Sequence, residues 1–127
     1  MAYEVPIEVQ RFVARYIRSF DQLEVLLVVS AAPEREWSTQ AVYQIVLSNQ
    51  TLVAKRLDEF VEAGLLTCYG EPPLYRFAPV NEELKSGVVT LDAAYKMSRH
   101  KIVELIYSQP TDPMKAFSDA FKLKRDK

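Results

Sequence analysis

The stretch STQAVYQIVLSNQTLVAKRLDEFVEAGLL, residues 38–66, decides the fold. Ser38 is a residue type that caps helix N-termini, and Ala41, Val42 and Val46 follow at the spacing of one helical face. Two or three residues after Val46 the pattern restarts. Ser48 or Asn49 supplies a second cap, and Val53, Leu57, Phe60 and Val61 form the buried stripe of a further helix. Gly64 then closes that helix, because glycine takes the left-handed conformation that ends helices, and Leu65-Leu66 leads into extended chain. Two short helices joined by a tight turn, the second leaving through a glycine, are predicted here.

The flanks extend this plan. Upstream, Pro6 suits the first turn of a helix, and Val9, Phe12, Val13, Tyr16 and Ile17 recur at three- and four-residue spacing, which predicts an amphipathic helix over 6–18. Ser19-Phe-Asp-Gln22 has the form of a capping box and opens a second helix that runs to about Ser30. That helix is apolar nearly all round (Leu23, Val25, Leu26, Leu27, Val28, Val29), so it is expected at the centre of the core, with Pro33 beyond its end. Downstream, 65–69 and 74–77 read as two short strands joined through Gly70-Glu71-Pro72-Pro73. Trp37 is expected to cover the core where a first short strand would sit, with Tyr69, Tyr75 and Phe77 packing the hairpin onto the helices. From the cap Asn81, Leu84, Val88, Leu91, Tyr95, Ser98, Ile102 and Leu105 alternate four and three apart, which predicts one long helix to about Ser108. Asp112-Pro113 then starts a last helix with Met114, Phe117, Ala120 and Phe121 on one face, before the charged tail 122–127. Phe117 and Phe121 either clamp a partner subunit or bury against the N-terminal helix of the same chain.

Helix, short helix, helix and two-stranded hairpin in this order resemble the winged helix-turn-helix family. Ser38, Val42, Val46, Val53, Leu57, Phe60 and Gly64-Leu65-Leu66 match its positions without a gap. The expected fold class is therefore mainly α with a small β-hairpin wing, divided into an N-terminal helix (1–18), a winged domain (19–80) and C-terminal helices (81–127). A helix before the winged domain and two after it is similar in layout to the MarR class of bacterial transcriptional regulators, in which outer helices from two chains build the dimer. The wing departs from that class: it is short and carries Glu71 at its tip.

The resemblance implies a homodimer that inserts the helix over 49–63 into the major groove of double-stranded DNA. With Val53 and Leu57 facing inward, the outward set is Asn49, Gln50, Thr51, Ala54, Lys55 and, on the flank, Arg56, joined by Arg76 on the wing. Asn and Gln pair bidentately with adenine, while Lys, Arg and Thr suit phosphates or guanine edges. Asp58, Glu59 and Glu62 make the second half of the same helix acidic, which works against lying deep along a phosphate backbone. The dimer expectation rests on the long helix. About 28 residues at about 1.5 Å each span roughly 40 Å, more than a domain of this size is wide, so part of its apolar row needs a partner unless it packs on its own domain.

Charge keeps a second function open. The chain carries 16 Lys and Arg against 17 Asp and Glu, a net charge of −1, whereas DNA affinity comes mostly from cations neutralising phosphates. Residues 1–80 hold seven basic against ten acidic side chains, and 81–127 nine against seven, so the basic excess lies outside the winged segment. The alternative is a winged module that docks on another protein through its acidic wing and the acidic half of the 49–63 helix.

At 127 residues and 49% hydrophobic, the chain can bury one proper core without staples. One cysteine, Cys68, and one histidine, His100, leave no intramolecular disulfide and no usual zinc ligand set; a reducing cytoplasm fits best. Cys68 is expected as a small buried apolar residue and His100 as an exposed one. The most apolar run, 23–29, is short and interrupted by Glu24, so neither a membrane span nor a signal core is expected. Three glycines cannot build a phosphate loop, and no nucleophile, base and acid are spaced for catalysis, so the sequence is read as that of a non-enzyme without a cofactor.

Overall fold

The computed structural model describes residues 4–46 and 48–108. Among these, six helices and three short strands follow in the order α1 (Ile7–Tyr16), α2 (Phe20–Ser30), β1 (Trp37–Ser38), α3 (Thr39–Val46), α4 (Gln50–Glu62), β2 (Leu66–Tyr69), β3 (Leu74–Phe77), α5 (Glu82–Met97) and α6 (Arg99–Ser108). The chain is mainly α with a small antiparallel β wing, and the order of elements is compatible with a winged helix layout. The final helix expected to start at Asp112-Pro113, and the tail 122–127, lie outside the described residues.

The core is built around α2. Leu23, Val25, Leu26 and Val29 are fully buried, and Leu27 and Val28 partly so, because α3, α4, α5 and β3 pack against this helix. Ser19 caps it by accepting from the Gln22 backbone N–H at 3.3 Å. The return half of the capping box is shifted by one residue: Gln22 Oε1 accepts from the Arg18 N–H instead of that of Ser19. Pro6 likewise stands just before α1, as its cap residue.

Strand β1 pairs with β3 through Trp37 opposite Tyr75 and Ser38 opposite Leu74, and β2 pairs with β3, giving the sheet order β1-β3-β2. Trp37, Tyr75 and Phe77 are buried against the helices, as the sequence predicts. Tyr69 and Cys68 are corrections to that expectation: both are exposed, because β2 shows all but Leu66 to solvent at the edge of the sheet. Tyr69 instead donates its hydroxyl hydrogen bond to Glu36. Gly64 sits at φ +85°, and the Leu65 N–H reaches the Phe60 carbonyl at 2.9 Å, the left-handed closure expected at the end of α4.

The larger correction concerns the expected long helix. It breaks at Ser98, whose backbone is at φ −155°, ψ 83°. The Ser98 N–H closes α5 on the Ala94 carbonyl, and its own carbonyl accepts from Lys101 and Ile102 to open α6. The break turns α6 back onto the fold. Arg99 lies over the rings of Phe20 and Tyr95, and the Tyr107 hydroxyl accepts from the Phe20 N–H at 3.3 Å, over the start of α2. Val88, Leu91 and Ile102 of the four-and-three row are consequently buried in the chain's own core, and Ala94 and Ile106 join them. On α5, Gly87 is needed for close packing: a Cβ there would stand 2.7 Å from Cδ2 of Phe12 on α1.

Candidate nucleic-acid interface

Helix α4 has two unlike sides. Inward, Val53, Leu57 and Phe60 are buried, with Val61 half-buried beside them. Outward, Thr51, Lys55, Asp58 and Glu62, at spacings of four, three and four, form an exposed row. The first half of that row is polar or basic and the second half acidic.

The side chains picked out in the sequence divide between these sides. Asn49 caps the helix, its Oδ1 accepting from the Leu52 N–H at 3.1 Å, so its oxygen is committed while its amide nitrogen stands at an exposed position. Gln50 is exposed, and its Nε2 lies 3.4 Å from Oε1 of Gln40 on α3, so two carboxamides flank the turn between α3 and α4. Thr51 and Lys55 are exposed and Ala54 is half-buried. Arg76 is exposed on β3, opposite Thr67 of β2.

Arg56 is placed differently. Its Nε donates to Oδ2 of Asp21 at 2.8 Å and its Nη1 to Oε1 of Glu59 at 3.2 Å, with its side chain only 17% exposed. Gln22, 7% exposed, extends this network by donating from Nε2 to Oε1 of Glu59 at 2.8 Å. The result is a polar strap that fastens the start of α2 to the middle of α4. Burial opposes charge on Asp21, but hydrogen bonds from Ser19 and Arg56 and the Arg56 charge outweigh it and hold the carboxyl below its ordinary value. Burial also works against the Arg56 cation, and its two carboxylate partners overcome this and raise its pKa.

The sequence reading missed this strap. The Arg56–Glu59 spacing of three is legible as a helix-surface pair, whereas Asp21 lies 35 residues away and only the crossing of α2 over α4 brings it near.

A second tie holds the wing. Tyr75 donates its hydroxyl to Oδ1 of Asp58 at 2.7 Å, linking β3 to the outward row of α4. Burial, then this bond to a carboxylate, drives the phenol pKa far up, so Tyr75 is a neutral donor at any ordinary pH. Beside the sheet, the Arg35 guanidinium lies 3.8 Å above the Trp37 ring. His100 is exposed near the start of α6, its Nδ1 3.4 Å from the Ser98 hydroxyl.

Among the described residues no helix is long and apolar enough to cross a membrane, and no group of three His, Cys, Asp or Glu could hold a metal ion. Comparison with known proteins finds no family model, no curated protein and no solved structure that matches this chain.

Proposed function

We propose that this chain is a DNA-binding regulator that acts as a homodimer and lays the first half of α4 in the major groove. The observation that carries the reading is the exposed cluster at the start of α4. Gln50, Thr51 and Lys55, with Gln40 of α3 beside them, stand free of the packing that holds Val53 and Leu57 on the opposite side. Carboxamides read adenine edges, and Lys55 and Arg76 suit phosphates. The likeness to the MarR layout supports the same reading at the level of element order.

The dimer no longer draws on a long helix, because α5 stops at Met97. Its support is instead an exposed apolar row on α5: Val89 is 61% exposed and Met97 66%, and exposed Ala93 lies midway between them at four-residue steps. A second copy seated on that row would supply the second α4 helix that a two-half-site duplex needs.

A second reading is favoured by the Arg56 strap. With that guanidinium held by Asp21 and Glu59, the exposed row of α4 offers Lys55 against Asp58 and Glu62, a poor match for a phosphate backbone and a better one for a partner protein. Fluorescence titration against random-sequence duplex DNA and the gene's own upstream fragment, at low and near-physiological salt, separates the two. The regulator reading expects a dimer that keeps a preference for the upstream fragment as salt rises. Absence of binding even at low salt overturns it in favour of protein docking.

A further inference from the structure

Between α5 and α6 the chain has no linker: Met97 ends one helix, Arg99 begins the next, and Ser98 alone turns the corner at φ −155°, ψ 83°. The bonds on either side already follow the i to i−4 pattern of an unbroken helix. The Ser98 N–H reaches the Ala94 carbonyl at 2.9 Å, and the Ile102 N–H reaches the Ser98 carbonyl at 3.3 Å. To make the two helices one, the N–H groups of Arg99, His100 and Lys101 would have to turn to the carbonyls of Tyr95, Lys96 and Met97. The sequence permits this, because neither glycine nor proline stands between Val88 and Ser108, and the four-and-three row from Leu84 to Leu105 passes through Ser98 without a slip. What holds α6 back is its seat. Ile102 and Ile106 are buried, α6 packs on α1 and α5, and Arg99 and Tyr107 both touch Phe20 at the start of α2. A single chain that straightened at Ser98 would strip Ile102 and Ile106 of that cover, so a straight form needs an identical seat elsewhere, and a second copy of the chain has one.

We propose that two copies of this chain pair by exchanging α6. In the pair, α5 and α6 of each copy run through Ser98 as one helix, roughly 40 Å long at about 1.5 Å per residue, and each α6 takes the seat on the other copy's α1, α5 and start of α2. The contacts of Ile102, Ile106 and Tyr107 with the core are made again across the pair, so the exchange keeps their burial and adds the helical bonds at 99–101. Met97, exposed in the single chain, stands at the hinge, where the two helices pass each other, and gains cover there. Such a pair differs from one seated on Val89, Ala93 and Met97 alone, because α6 changes partners. The exchange rests on the homodimer of the regulator reading, and DNA contact plays no part in it.

Sedimentation of the full chain over a range of concentrations tests it, with two substitutions at one position. Arg99→Pro is compatible with the bend, since proline suits the first position of a helix and Ser98 before it is extended, but it opposes the straight helix, where its ring would meet the Tyr95 carbonyl. Arg99→Ala removes the same guanidinium and leaves both forms open. The parent and Arg99→Ala are expected to dimerise alike, and Arg99→Pro to keep its helical circular dichroism while dimerising at least about a hundredfold more weakly, the penalty of a proline inside a helix. In a mixture of isotope-labelled and unlabelled parent chains, unfolded and refolded together, filtered NOEs are expected between Tyr107 of one copy and Phe20 of the other; they decide the matter by themselves if Arg99→Pro fails to fold. An Arg99→Pro chain that dimerises as well as Arg99→Ala, or a parent dimer whose Tyr107–Phe20 NOEs stay within one copy, overturns the exchange and leaves the homodimer standing on the α5 row. A parent chain that is monomeric at every concentration overturns both.

Discussion

The two sides of α4 obey different physics, although they share one helix of 13 residues. On one side Val53, Leu57 and Phe60 are excluded from water, and Arg56 is tied to the start of α2 through Asp21. On the other, Thr51, Lys55, Asp58 and Glu62 meet solvent. The side that faces inward fixes where the helix sits; the side that faces outward is free to be chosen by a partner. Arg56 teaches the most here, because by residue type it belongs with Lys55 and by position it belongs with the core.

Substitutions should therefore separate the sides by size of effect. Leu57→Ala removes a fully buried side chain from the centre of the winged unit, and such a change costs about 2–5 kcal/mol; denaturant unfolding should show it as a large fall in midpoint. Arg56→Ala should cost less, about 1–3 kcal/mol, because it leaves two partly buried carboxylates, Asp21 and Glu59, without their shared donor. Arg56→Lys should recover only part of that loss, since one ammonium cannot reproduce the guanidinium's directed bonds to Asp21 and Glu59 together. An Arg56→Ala protein as stable as the parent would move Arg56 to the outward side and strengthen its place in a DNA contact.

The strap also predicts a pH dependence smaller than either truncation. The Asp21 carboxyl is held below its unfolded-state pKa, so the ionised form stabilises the folded chain at neutral pH. That contribution is fully present above the unfolded-state value and is lost as pH falls through the lowered folded-state value. Asp21→Asn should be less stable than the parent at pH 7, and the gap should narrow as pH is taken down through the carboxylate range. A gap that is constant with pH would mean that Asp21 acts through packing alone.

How much of this was legible in the sequence follows from how local each signal is. Caps at Ser19, Asn49 and Asn81, the glycine at 64 and the apolar stripe of α4 are set by residues within a turn or two of one another, and each stands where the pattern puts it. Apolar spacing from Leu84 to Leu105 was local too, and it misled. A continuous four-and-three row marks residues that share a buried face, and that face is preserved across the bend at Ser98 because α5 and α6 turn around the same core. Periodicity reports burial, and a serine in the row is tolerated equally by a straight helix and by a break. The exposure of Cys68 and Tyr69 is hidden for a similar reason: residue type favours burial, but β2 is an edge strand, and among the described residues only its Leu66 is covered. The Arg56 strap depends on residues brought together from different helices, which spacing along the chain does not encode.

The smallest effect on stability, and the sharpest on function, is expected at Lys55. Its side chain is exposed on the outward row, so Lys55→Ala should change unfolding stability by less than about 0.5 kcal/mol. If α4 enters a groove, the same change should weaken binding to every duplex tested and lower the slope of log affinity against log salt by about one, because one phosphate contact has gone. Gln50→Ala, next to the cap, should leave that slope alone and erode the preference between sequences, since a carboxamide reads base edges and releases no counterion. The two variants thus turn the comparison of sides into a measurement. Equal losses for both, with an unchanged salt slope, would mean that the outward row of α4 is not reading DNA, and the charge of Asp58 and Glu62 would then point to a protein surface as its partner.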